Sequence, residues 1–116
     1  MSSSSGPDPA VNTELTRLRH SIDNLDAAMI HLLAERFACT RKVGYLKAAC
    51  GLPPADLARE SEQIDRLQRV ASGSGLDPVF AKKFHAFVVD EVIRQHKEIA
   101  EGGSAQDVAG ADTLHT

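Results

Sequence analysis

The chain has no tryptophan, and aromatic residues make up only 4% of it. So few rings exclude a stacking platform for nucleic-acid bases. No apolar run is long enough to span a membrane. The N-terminal stretch has no basic start followed by a continuous apolar segment, so no secretory signal is read there. A mature secreted chain would also lack one. The net charge of −3 argues against a nucleic-acid partner held by bulk positive charge. Cys39 and Cys50 have neither metal-ligand nor redox spacing, and are read as reduced thiols of a cytoplasmic protein. His20, His31, His85, His96 and His115 show no metal-ligand spacing, so no metal site is expected. No serine sits in a glycine-flanked elbow. There is no strand signal and no repeat.

The ends are poor in apolar residues. "SSSSGPDPA" and "EGGSAQDVAGADTLHT" cannot bury enough surface to offset the entropy of ordering. Residues 1–12 and 102–116 are therefore expected to be disordered tails around one domain, residues 13–101. About 90 residues make a feasible but modest core.

What the chain does have is helical periodicity. The first helix is expected from an N-cap at Thr13 to about Cys50, where Gly51 ends it. "GLPPAD" is a turn, since two prolines forbid continuation. A second helix is expected from about Asp56 to Ala71, with Leu57, Ile64, Leu67 and either Val70 or Ala71 on one side. "SGSG" stops it. Asp77 as N-cap and Pro78 at the first helical position open the third helix. It runs to about Ala100, with Phe80, Phe84, Phe87, Val88, Val92 and Ile99 as its apolar face. The fold class is all-α, with three helices and a very long first one. That helix would be roughly 55 Å long, against about 25–35 Å for a globule of this size. The rest of one chain cannot cover its stripe, so an intertwined dimer is expected.

The stripe is Val11, Leu15, Leu18, Ile22, Leu25, Met29, Leu32, Arg36, Cys39, Val43 and Leu46, in alternating steps of four and three. Arg36 is its one charged member. A guanidinium there is costly unless it is paired or binds an anion. A structural ion pair with Glu60, Asp90 or Glu91 is one reading. Lys47, eleven residues on, projects within about 20° of Arg36 and about 16 Å along the helix. Two long cations on one face can converge on an anion between them. Alone, Lys47 reads as a solvated lysine near a helix end. Arg19 points roughly 100° away from Arg36 and would serve a pocket on a partner chain. Asp56, Arg59 and Glu60 share a face at the start of the second helix. Their plainer reading is a charged first turn capped by Asp56. His85 and His96, eleven apart, can share a face of the third helix.

These pieces resemble the all-helical class of chorismate mutases. "LRHSIDNLDAAMIHLLAERF" is similar to that family's opening helix, "VGYLK" to its valine-glycine-x-x-lysine segment, and "ADLARES" to its aspartate-x-x-arginine-glutamate segment. The three blocks stand in register over about residues 15 to 100. The resemblance implies intertwined dimers in which Arg36, and Arg19 from the partner chain, bind substrate carboxylates. It implies that Lys47 binds near the ether oxygen and a carboxylate. Asp56 and Glu60 would contact the ring hydroxyl, Asp56 through its backbone, and Arg59 would support the anionic end. Where the family has a serine and, four residues later, a glutamine, this chain has Val92 and His96. Val92 removes a hydrogen bond, whereas His96 still donates one. By helical phase, Gln95 lies near the centre of the apolar face and His96 near its edge, so a slip of one residue would substitute Gln95.

The implied activity is an intramolecular Claisen rearrangement of chorismate to prephenate in aromatic amino-acid biosynthesis, with no cofactor. The alternatives are an isochorismate-pyruvate lyase, which shares the fold and the cationic pocket, and a non-catalytic helical dimerisation module. The module would gain stability from leucine at position 36.

Overall fold

A computed structural model of the chain describes residues 8–102. Three helices follow one another: α1 (Pro9–Ala49), α2 (Leu57–Ser74) and α3 (Pro78–Ala100). Among the described residues there is no strand. The all-α class and the long first helix, 41 residues, are as the periodicity predicts. The chain divides into two compact units, with the boundary after Arg36, inside α1.

α1 begins before Thr13. The Asp8 carboxylate accepts from Ala10 N–H at 2.9 Å, and its carbonyl accepts from Asn12 N–H at 3.0 Å. Pro9 supplies a first-turn φ that costs nothing. Thr13 is instead inside the helix, its hydroxyl donating to the Pro9 carbonyl at 3.0 Å. Residues 9–12, expected in the tail, are therefore helical. The remainder of that tail, 1–7, lies outside the described residues, as does the second tail from 103 on.

The end of α1 is as expected. Gly51 adopts φ +69, and Leu52 N–H reaches back to the Lys47 carbonyl at 2.8 Å. This is the paired capping of a helix that ends on a left-handed glycine, and Pro53 follows. α2 overruns its predicted stop and continues through Ser72, Gly73 and Ser74. Leu76 N–H bonds the Ala71 carbonyl at 2.9 Å, and the Ser74 hydroxyl bonds the same oxygen at 3.1 Å. The helix ends instead on Gly75, in the left-handed conformation at φ +83. α3 opens on Asp77, which accepts from Val79 N–H at 2.9 Å, with Pro78 in the first turn.

In the unit after Arg36, α2 and α3 pack as a helical hairpin. Its buried residues are Ala71 of α2 and Ala81, His85, Val88, Val92, His96 and Ile99 of α3. Steps of four, three, four, four and three put the α3 residues in one row. The single apolar face expected for α3 is really two. Val88, Val92 and Ile99 lie in the buried row, while Phe80, Phe84 and Phe87 form a separate exposed row. On α2, Ala71 is the buried choice and Val70 is exposed, as is Leu57. α3 approaches α1 at Gly44, which is buried. A Cβ there would lie 2.6 Å from His96 Cδ2 and 3.0 Å from Ile99 Cδ1.

In the unit up to Arg36, the stripe is open to solvent. Val11, Leu15, Leu18, Ile22, Leu25, Met29 and Leu32 are each between 36% and 68% exposed. Glu14 and Arg17 form an exposed ion pair on the same helix, worth little in water.

Two glycine substitutions test the packing. Gly44→Ala should destabilise the protein by about 1–2 kcal/mol, because overpacking outweighs the roughly 1 kcal/mol that alanine gains in a helix. Gly73→Ala meets nothing within 4 Å and should stabilise it by about 0.5–1 kcal/mol. Urea-unfolding midpoints of the two variants should move in opposite directions.

Candidate active site

Lys47 sits in the last turn of α1, where a cation is favoured by the helix dipole. It is half-buried. It is not the solvated lysine of the plainer reading, because its Nζ donates to the Pro54 carbonyl at 3.1 Å. Pro54 belongs to the turn that the two prolines impose between α1 and α2.

His96 comes to the same oxygen from α3. It is only 5% exposed. Its Nδ1 stands 3.3 Å from the Pro54 carbonyl, and its Nε2 stands 2.6 Å from the Thr40 carbonyl of α1. Two side chains, 49 positions apart in sequence, therefore aim nitrogens at one acceptor oxygen. Gly44 makes this possible, since any side chain there would push the imidazole away from α1.

The phase argument put Gln95 nearer the core than His96. In the structure, His96 lies in the buried row and Gln95 is half-buried. Gln95 turns its amide along its own helix to Glu91, at 3.0 Å, and its Oε1 is buried without a hydrogen-bond partner. The apolar pattern misled because α3 has two apolar rows, and Gln95 falls between them. Val92, one turn before His96, is also buried. His85, likewise in the buried row, has its Nε2 3.2 Å from Gln63 Oε1.

Asp56 is the N-cap of α2, accepting from Arg59 N–H at 3.1 Å, as the plainer reading expects. Its Oδ1 is thus engaged by the cap. Arg59 is exposed and Glu60 half-buried. Both belong to the first turn of α2.

Arg19 and Arg36 belong to the other unit. Arg19 is exposed. Arg36 is half-buried, and its Nη1 is buried with no hydrogen-bond partner among the described residues. An unsatisfied buried guanidinium nitrogen is expensive, and an anionic ligand would satisfy it. Among the described residues, no group of three or more histidine, cysteine or acidic side chains is placed to hold a metal ion.

Thr40, Gly44 and Pro54 were not expected at the site. Thr40 and Pro54 act through backbone carbonyls, which leave no side-chain signature. Gly44 did leave one: an isolated glycine inside a long helix costs about 1 kcal/mol and implies a packing reason.

On the outer side of α3, Arg94 bonds Glu91 at 2.7 Å and Glu98 at 3.2 Å. Hydrogen bonds from Arg94, and then from Gln95, hold the Glu91 carboxyl down at about 2. Its folded value lies below the ordinary one near 4.3. Its contribution is therefore present above the ordinary carboxylate range and is lost as pH falls through about 2. A carboxyl-detected NMR titration should find Glu91 still ionised at pH 3. In the Arg94→Ala variant its titration should move toward the ordinary value.

Residues 18–97 match the family described as Chorismate mutase type II. Over 65 residues, 56% of the chain, it is 37% identical to a T-protein of Enterobacter agglomerans, but spans only 17% of that protein's length. Over 88 residues, 76% of the chain, it is 25% identical to a chorismate mutase of Methanocaldococcus jannaschii, 89% of whose length is covered. The matched stretch takes in Arg19, Arg36, Lys47, the Asp56–Glu60 turn and His96. With three helices in this order and that match over most of its length, the chain belongs to the chorismate mutase type II family.

Proposed function

We propose that the protein is an isomerase that rearranges chorismate to prephenate, a step of aromatic amino-acid biosynthesis. The observation that carries the mechanism is the convergence of Lys47 Nζ and His96 Nδ1 on one carbonyl oxygen. In the rearrangement, the bond between the ether oxygen and the ring carbon breaks. A carbon–carbon bond forms between the enolpyruvyl methylene and the ring, and the oxygen becomes the pyruvyl ketone. No atom enters or leaves, and no proton need move. Negative charge grows on the ether oxygen as its bond to the ring breaks. Two donors aimed at one oxygen stabilise that charge more than they stabilise the ground state.

The remaining task is to hold a dianion in its folded, reactive conformer, which is a positioning effect. Arg36 suits this because a planar fork grips a carboxylate bidentately, and its Nη1 has no hydrogen-bond partner among the described residues. In this reading Arg19 of a second chain binds the other carboxylate. Glu60 and the Asp56 backbone meet the ring hydroxyl, and Arg59 supports the anionic end. Val92 lines the ring side without a hydrogen bond. Arg19 needs a partner chain for this role. The open stripe on α1 supports a homodimer, since covering the exposed part of each leucine, isoleucine or methionine gains roughly 0.5–2 kcal/mol.

No helix among the described residues is long and apolar enough to cross a membrane, and Cys39 and Cys50 are free. The free thiols support a cytoplasmic place of action.

Purified protein should convert chorismate to prephenate, and should release no pyruvate from isochorismate. The reverse outcome would make it the lyase. Arg36→Ala and Lys47→Ala should each lose most of kcat/KM, by several kcal/mol of transition-state stabilisation, with the helical signal unchanged. If Arg36→Leu instead raises Tm while function persists, the chain is a dimerisation module. Sedimentation should give the mass of two chains, and Leu18→Glu with Leu25→Glu should reduce it to one.

A further inference from the structure

His96 presents both ring nitrogens to backbone carbonyls: Nε2 to Thr40 at 2.6 Å and Nδ1 to Pro54 at 3.3 Å. A carbonyl oxygen only accepts, and a neutral imidazole carries one N–H. The neutral ring can therefore serve one of the two and must turn a lone pair toward the other. The shorter contact claims the single proton. Gly44 keeps the ring seated there, with His96 Nε2 only 3.2 Å from where a Cβ would stand. The nitrogen left beside Lys47 is Nδ1, and it donates only if the ring is doubly protonated.

We propose that His96 works as an imidazolium, its Nε2–H tied to the Thr40 carbonyl and its Nδ1–H serving beside Lys47 as the second donor to one oxygen. Thr40 and Gly44 are then positioning residues: the first holds the ring through its carbonyl, the second leaves room for it. This deepens the reading under Proposed function and rests on it. In the free protein the Pro54 carbonyl fills the acceptor position. In the complex the ether oxygen would replace it. A glutamine amide at this position donates at any pH, whereas an imidazole does so toward this side only when charged.

The charged groups around the ring set its balance. Lys47 of α1 shares the Pro54 oxygen. The Asp56 carboxylate of the connection is turned to its own helix cap. Glu60 of α2 is half-buried, and among the described residues no carboxylate hydrogen-bonds the imidazole. Both partners of the ring are thus carbonyl oxygens, which only accept.

Two readouts test this. The first is the 15N spectrum of the His96 ring in the wild-type protein, which needs no turnover. Both nitrogens should be protonated at the pH of full activity, or at pH 6 if no activity is found. In Gly44→Ala the Nε2 signal should lose its hydrogen-bond shift. A bare Nδ1 under those conditions overturns the proposal. The second is kcat/KM against pH. It should fall by about tenfold per pH unit once the imidazole range of pH 5 to 8 is passed, and His96→Gln should abolish that fall. The same fall in both proteins overturns the proposal. If chorismate is not turned over at all, the functional reading fails, while the 15N result still decides the state of the ring.

Discussion

α3 can reach α1 at Gly44 only because that residue has no side chain, and the contacts of His96 and Lys47 depend on this approach. His96 is buried there, and a buried imidazole must find partners or cost the fold its desolvation. It finds the Thr40 carbonyl on α1 and the Pro54 carbonyl in the connection. The second of these also holds Lys47. One close contact between helices thus fixes a ring, a turn and a cation together. Gly51 ends α1 in a left-handed conformation, and two prolines of fixed φ follow.

Each unit leaves valences open. In the first, Arg36 has a buried nitrogen with no hydrogen-bond partner among the described residues. In the second, Lys47 and His96 share one acceptor. Natural cores satisfy such groups, and sites that await a ligand are where they do not. The chemistry suited to the arrangement is the stabilisation of negative charge on an oxygen within a bound dianion. Nothing in it requires a nucleophile.

Much of the fold was legible in the sequence, and the misses have identifiable physical causes. Asp77 and Pro78 marked the start of α3 because a capping carboxylate and a fixed φ act locally. The same pair, Asp8 and Pro9, opens α1, but it was hidden in a stretch whose composition reads as a tail. The open stripe followed from length alone, since a helix of 41 residues outruns the apolar surface that the rest of the chain can offer. The two apolar rows of α3 were merged into one because helical phase cannot say which neighbour each row faces. That merging put Gln95 where His96 sits. Arg36, Lys47 and the Asp56–Glu60 turn were singled out by spacing and resemblance. Thr40 and Pro54 were not, since a carbonyl contact across helices has no residue code.

The most direct measurement is a crystal structure with a stable bicyclic ether dicarboxylate that mimics the transition state. The account predicts that its ether oxygen takes the place of the Pro54 carbonyl between Lys47 Nζ and His96 Nδ1. It also predicts that Arg36 grips a carboxylate. An analogue bound elsewhere, with Lys47 and His96 still on Pro54, would contradict it.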